Sequence, residues 1–140
     1  MTEKTFVPFS ITGVKTSLVG TPSNDGSPGS ALYAVPLSLS RPLTGAEQEA
    51  MVAVWDNPPS STTMHRPGTA RCYGTEFVLS KTTIEEVRDY HLKTLQGVVA
   101  KVNELSEAQH RRDATAEAER KAQAEAHAKN VEKIAKDMDF

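Results

Sequence analysis

Helix-breaking residues are confined to the first part of this chain. All eight prolines lie at or before Pro67 and all eight glycines at or before Gly97, so the last forty-three residues contain neither. In a helix interior Pro costs about 3 kcal/mol and Gly about 1 kcal/mol relative to Ala, so their joint absence over that length predicts one long helix. The preceding stretch alternates Val, Leu, Phe, Tyr, Ser and Thr and is punctuated by Pro and Gly, the pattern of short strands and turns. The chain is therefore expected to divide in three. Residues 1–30 read as an N-terminal strand region with a Gly/Pro/Ser-rich loop, 31–105 as an α+β head, and 106–140 as a polar helical arm.

Within the first part, residues 5–19 hold apolar and β-branched residues in loose alternation, enough for one or two strands, with Pro8 at an edge because proline has no N–H to give a ladder. Residues 20–30, GTPSNDGSPGS, supply turn geometry and nothing to bury. A loop of that length leaves the first segment loosely tied, as able to pair with another chain as with its own. Residues 31–40, ALYAVPLSLS, put Tyr33, Val35, Leu37 and Leu39 on one face and Ser38 and Ser40 on the other, with Pro36 marking an edge or a bulge.

Thr44 followed three residues later by Glu47 has the spacing of a capping box, and it opens a helix whose Ala50, Met51, Val54 and Trp55 form one stripe. That helix must stop by Asn57, since Pro58 disfavours helical geometry in the residue before it. Residues 60–70 read as a loop and 70–81 as a tight hairpin about Gly74. Thr82 with Glu85, or Thr83 with Glu86, then caps a second helix. Its apolar stripe is Ile84, Val87, His91, Leu95, Val98, Val102 and Leu105, widened by Leu92 and Val99. A small antiparallel sheet with two helices packed on one face, the second continuing into a long C-terminal helical arm, is the simplest α+β arrangement that buries both stripes. Its β-α-β-β-α order is compatible with a ferredoxin-like split unit that lacks or rearranges one strand.

Past Leu105 the stripe fades. Residues 106–130 contain no Val, Ile, Leu, Met or aromatic residue, which leaves no heptad seam for a coiled coil. Helix propensity is nevertheless high, and four pairs set Glu four residues before a cation: Glu107–Arg111, Glu117–Lys121, Glu125–Lys129 and Glu132–Lys136. At roughly 0.2–0.5 kcal/mol each, they bias the segment towards helix. A helix continuous from 83 to 137 would be about 80 Å long at 1.5 Å per residue. At its end Val131, Ile134 and Met138 share one face and Phe140 closes the chain, an apolar patch after a polar shaft.

Charge narrows the range of partners. Sixteen Lys and Arg face eighteen Asp and Glu, and residues 1–80 and 81–140 each sum to −1. Dense, balanced charge in the second half describes a solvated helix surface better than a basic nucleic-acid footprint. The single Cys72 cannot form an internal disulfide, Met1 to Thr5 lead into no signal-like apolar run, and no window is apolar enough for a membrane span, so a cytoplasmic protein with no membrane contact is expected.

No catalytic, cofactor or metal constellation stands out. Cys72 with His65 or His91 as base is the only nucleophile–base combination, with no third group to orient it. His65, His91, His110 and His127 lack metal-ligand spacing. His91, on the core face of the second helix, is expected to be partly buried with a hydrogen-bond partner. The loop from Trp55 to Arg71 is the best local candidate for recognition, through Trp55, Met64, His65 and Arg66, although Trp55 is expected chiefly to anchor the core. The leading expectation is a non-enzymatic interaction or assembly protein, an accessory to a larger protein or to itself, that contacts its partner through Val131, Ile134, Met138 and Phe140 and needs no cofactor. The alternative is a nucleic-acid-binding accessory protein using Arg66, Arg71 and Lys81 on the head and Arg111, Arg112, Arg120 and Lys121 on the arm.

Overall fold

The computed structural model describes residues 5–139, so Phe140 lies outside the described residues. Two compact units divide the chain: Val7–Ser106, and Glu107–Phe140 together with Met1–Phe6. In the first unit four strands, β1 (Ile11–Val14), β2 (Tyr33–Leu39), β3 (Ala70–Tyr73) and β4 (Glu76–Thr82), form one antiparallel sheet in the order β1-β2-β4-β3. Helix α1 (Gly45–Asp56) links β2 to β3. After β4 come α2 (Ile84–Glu86), a π-helical turn (Val87–His91) and α3 (Leu92–Lys136). The fold is α+β with a long C-terminal helix.

Strands β2 and β3 each run antiparallel to β4 and hence parallel to one another, with α1 as the crossover between them. This is a split β-α-β unit. The edge position that a ferredoxin-like sheet fills with the strand after its second helix is filled here by β1, from the N-terminal side.

The period of two along the strands puts Val35, Leu37, Leu39, Ala70, Phe77 and Leu79 on one face, in register as Leu37 opposite Phe77 and Leu79 between Val35 and Ala70. Met51 and Trp55 from α1 and Val87, Leu95, Val98 and Val102 from the second helix bury against them. A slip of one residue in β2 would turn its whole apolar set to solvent, which fixes the pairing. The hairpin between β3 and β4 turns on Gly74 and Thr75, with Gly74 at φ +53, the left-handed region that such a two-residue turn needs.

Helix α1 opens with both halves of its capping box: the Glu47 amide donates to Thr44 Oγ1 at 3.2 Å, and the Thr44 amide donates to Glu47 Oε1 at 3.0 Å. Glu47 is only 4% exposed. Its carboxylate also takes two parallel hydrogen bonds from Arg41, at 2.8 and 2.7 Å, and one from Ser106 Oγ on α3 at 2.8 Å. A buried carboxylate is tolerated only with partners of this kind, and these tie α1 to the second helix. Of the two possible caps for the second helix the structure uses Thr83, whose side chain accepts from the Glu86 amide at 3.1 Å.

The structure revises the sequence reading at three further points. The N-terminal segment is not loosely tied: β1 pairs with β2 of its own chain, and Phe9 ahead of it is buried. Pro36 sits in an interior strand and not at an edge, directly after the irregularity that shifts the register between Tyr33 and Val35. Its carbonyl accepts from the Lys15 amide, and because both polar groups of one strand residue face the same neighbour, its missing N–H faces β1 just where β1 has ended. Leu92 and Leu105 do not extend the buried stripe, being 37% and 44% exposed. Leu92 lies about 100° further round the helix than His91, and Leu105 follows Val102, the last buried residue of α3.

Candidate functional site

Two places gather the residues that sequence reasoning singled out. The first is the loop from Trp55 to Arg71. Trp55, at the end of α1, is 1% exposed, and its Nε1–H donates to the Arg66 carbonyl at 3.2 Å. The same carbonyl accepts from Thr69 Oγ1 at 2.6 Å, and Asp56 Oδ1 accepts from the Gly68 amide at 2.7 Å, so the loop folds back onto the helix it leaves. Met64, His65 and Arg66 are half-buried. The His65 ring lies 4.5 Å from the Trp55 ring, and His91 approaches the same indole at 5.6 Å.

Arg66 is the hub of this region. Its guanidinium donates to the Lys81 carbonyl at 2.6 Å and, through both terminal nitrogens, to Glu86 at 2.8 and 3.2 Å. Lys81 is one of two non-glycine residues at positive φ among the described residues. Glu86 Oε2 also accepts from Thr82 Oγ1 at 2.9 Å and lies 3.9 Å from His91 Nε2. Arg66 holds the Glu86 carboxyl below the usual carboxylate range. His91 is 2% exposed, at the last position of the π-helical turn. Contrary to the sequence expectation, its Nδ1 has no hydrogen-bond partner, and neither does either ring nitrogen of His65 nor the Thr94 hydroxyl one helical turn on. The Trp55 indole against His91 offers only an apolar ring and an N–H that already donates to the Arg66 carbonyl.

The second place is the end of α3. Every described residue from Arg111 to Asp139 is exposed. Val131 and Ile134 are 51% and 49% exposed, three apart on one face of α3, while Met138, expected on the same helical face, lies two residues past the end of the helix at Lys136 and is 55% exposed. Beside them Glu132 and Lys136 pair at 3.5 Å. Of the other three Glu–cation pairs only Glu107–Arg111 closes, at 2.6 Å, among the described residues. Elsewhere on the shaft Gln109 bonds both Arg112 and Asp113, and the Phe6 ring lies 6.1 Å from the His110 imidazole.

Burial pushes the Cys72 thiol up to about 11, with the Glu47 carboxylate adding to the effect, so the sulfur is a thiol and not a thiolate at neutral pH. No hydrogen bond joins it to His65 or His91. Among the described residues no three His, Cys, Asp or Glu side chains are placed to hold a metal ion, and no helix is long and apolar enough to cross a membrane. Of the cations named for the nucleic-acid alternative, Arg66 is committed to Glu86, Arg111 to Glu107 and Arg112 to Gln109, while Arg71, Lys81, Arg120 and Lys121 are exposed.

Sequence reasoning missed Arg41, Ser106 and Asn103, which join elements far apart in the chain. It found Glu47 only as a cap. The chain matches no family model, no curated protein and no solved structure.

Proposed function

We propose that this chain is a non-enzymatic interaction or assembly protein: a small α+β head carrying a helix whose end contacts a protein partner or a second copy of the chain. The observation that carries the reading is the exposure of Val131 and Ile134 on one face of α3 and of Met138 just past its end, in a segment whose every other described residue is also exposed. Single exposed apolar residues are ordinary. Three close together at the end of the chain, after a shaft of Ala and charged residues, offer area worth about 25 cal/mol per Å² when covered. Phe140, two residues after Met138, belongs to the same proposed contact.

The reading is supported by what the polar shaft offers instead, since exposed charge pairs contribute about 0–1 kcal/mol each. The nucleic-acid alternative rests on Arg71, Lys81, Arg120 and Lys121, and salt-dependent retention on DNA or RNA is its test. For the leading reading the test is whether Ile134→Ser together with Met138→Ser removes partner binding or self-association while the thermal transition of the head is unchanged.

A further inference from the structure

The interior around Trp55 holds polar groups that the interaction reading leaves without a role. One indole is flanked by two imidazoles, His65 at 4.5 Å and His91 at 5.6 Å. Three of the four nitrogens of those rings are buried without a hydrogen-bond partner, and so is the Thr94 hydroxyl. Buried polar groups are nearly always satisfied, so a cluster of exceptions calls for a reason. His91 ends a π-helical turn, an irregularity found mostly as a single turn and frequently at functional sites.

Beside this cluster lies a carboxylate that already takes three hydrogen bonds. Glu86 Oε2 already accepts from Arg66 Nη1 at 2.8 Å and from Thr82 Oγ1 at 2.9 Å, and His91 Nε2 waits at 3.9 Å, about 1 Å beyond charge-assisted hydrogen-bond distance. Arg66 in turn fastens the middle of loop 57–69 to Glu86 and the Lys81 carbonyl, while Ser80 holds the end of the loop at the Thr69 carbonyl. The charged and titratable groups that face His91 are Glu86 from α2, and Arg66 and His65 from the loop.

We propose that His91, Glu86 and Arg66 form a proton-operated latch on loop 57–69: a proton taken from solvent by His91 makes an imidazolium that competes with Arg66 for Glu86, and the loop covering Trp55 lets go. Two effects act together. The imidazolium gains the Glu86 carboxylate, and Arg66 loses part of it and now faces a like charge. Burial lowers the His91 pKa from its ordinary value of 6.5, with Arg66 and His65 adding to the lowering and Glu86 opposing it, so the latch is closed at neutral pH and opens on mild acidification. Glu86, held below its ordinary 4.5, stays ionised throughout that interval.

The chain reports on its own latch, because Trp55 is its single tryptophan. The experiment titrates the intact chain from pH 8 to pH 5, following Trp55 emission and far-UV circular dichroism together. The expected result is a reversible shift of emission to longer wavelength, with a midpoint below 6.5, before any loss of helical signal. His91→Gln should abolish the shift, and Arg66→Gln should give the long-wavelength emission already at pH 8. An emission spectrum that is unchanged to pH 5, that changes only as helix is lost, or that shows the same midpoint in His91→Gln overturns the proposal. Should His91→Gln not fold, the ring resonances of His91 in the unaltered chain decide: their titration midpoint must coincide with that of Trp55 emission, and a separate midpoint sinks the latch.

Discussion

Asn103 grips the backbone of Phe9 with both ends of its amide, donating to the carbonyl at 2.8 Å and accepting from the N–H at 3.0 Å. A single side chain on α3 thereby does for the segment ahead of β1 what a neighbouring strand would do. Phe9 is 2% exposed, and the Arg41 guanidinium lies 5.5 Å from its ring. Asn103→Ala removes two hydrogen bonds that are worth about 1–3 kcal/mol together, so the urea midpoint should fall by the corresponding amount without a change in slope. An unchanged midpoint would mean that the N-terminal segment contributes nothing to the stability of the first unit.

Trp55 closes the core between α1 and the sheet, 6.4 Å from Phe77 in an edge-to-face arrangement. Trp55→Ala should cost about 3–5 kcal/mol, a large share of a small domain's stability, and lower the melting temperature accordingly. If the melting temperature does not move, Trp55 is a surface residue and its loop a recognition element.

Glu47 makes stability pH-dependent at the acid end. The Arg41 guanidinium, aided by the Thr44 amide and the Ser106 hydroxyl against the cost of burial, holds its carboxyl down to about 2. The unfolded chain protonates this group near 4.5 and the folded chain only near 2, so its contribution, about 3 kcal/mol by linkage, is complete above pH 4.5 and is lost as the pH falls towards 2. The difference in unfolding free energy between the unaltered chain and Glu47→Gln should therefore shrink between pH 6 and pH 3. A difference that stays constant over that range contradicts the assignment.

The first unit should fold without the rest of the arm. Truncation after Ser106 keeps the Ser106–Glu47 and Asn103–Phe9 hydrogen bonds and every buried residue of α3, of which Val102 is the last. Residues 1–106 are expected to melt in one cooperative transition close to that of the full chain. Loss of cooperativity would place residues beyond Ser106 in the core.

What was legible in the sequence was what depends on local rules. The Thr44–Glu47 cap, the hairpin at Gly74, the alternation in β2 and the stripe from Val87 to Val102 each follow from residues a few positions apart. What was not legible depends on partners brought together by the fold. Nothing near Asn103 in the chain announces a contact with Phe9, and nothing near Glu47 announces Ser106. The missing partner of His91 is a failure of the same kind, because a ring nitrogen on a core face is satisfied or orphaned by residues from α1 and the loop. For the arm end, composition and spacing marked Val131, Ile134 and Met138, and exposure is what the structure adds.

The most direct measurement of the interaction reading is a side-by-side affinity capture from the native host's lysate, using the full chain and its Ile134→Ser/Met138→Ser variant as baits. The account predicts that the unaltered chain retains a protein partner, or a second copy of itself, which the variant loses, while both baits show the same melting temperature. Equal retention by the two baits contradicts it, and would move the contact to the exposed edge of β3 or to the loop over Trp55.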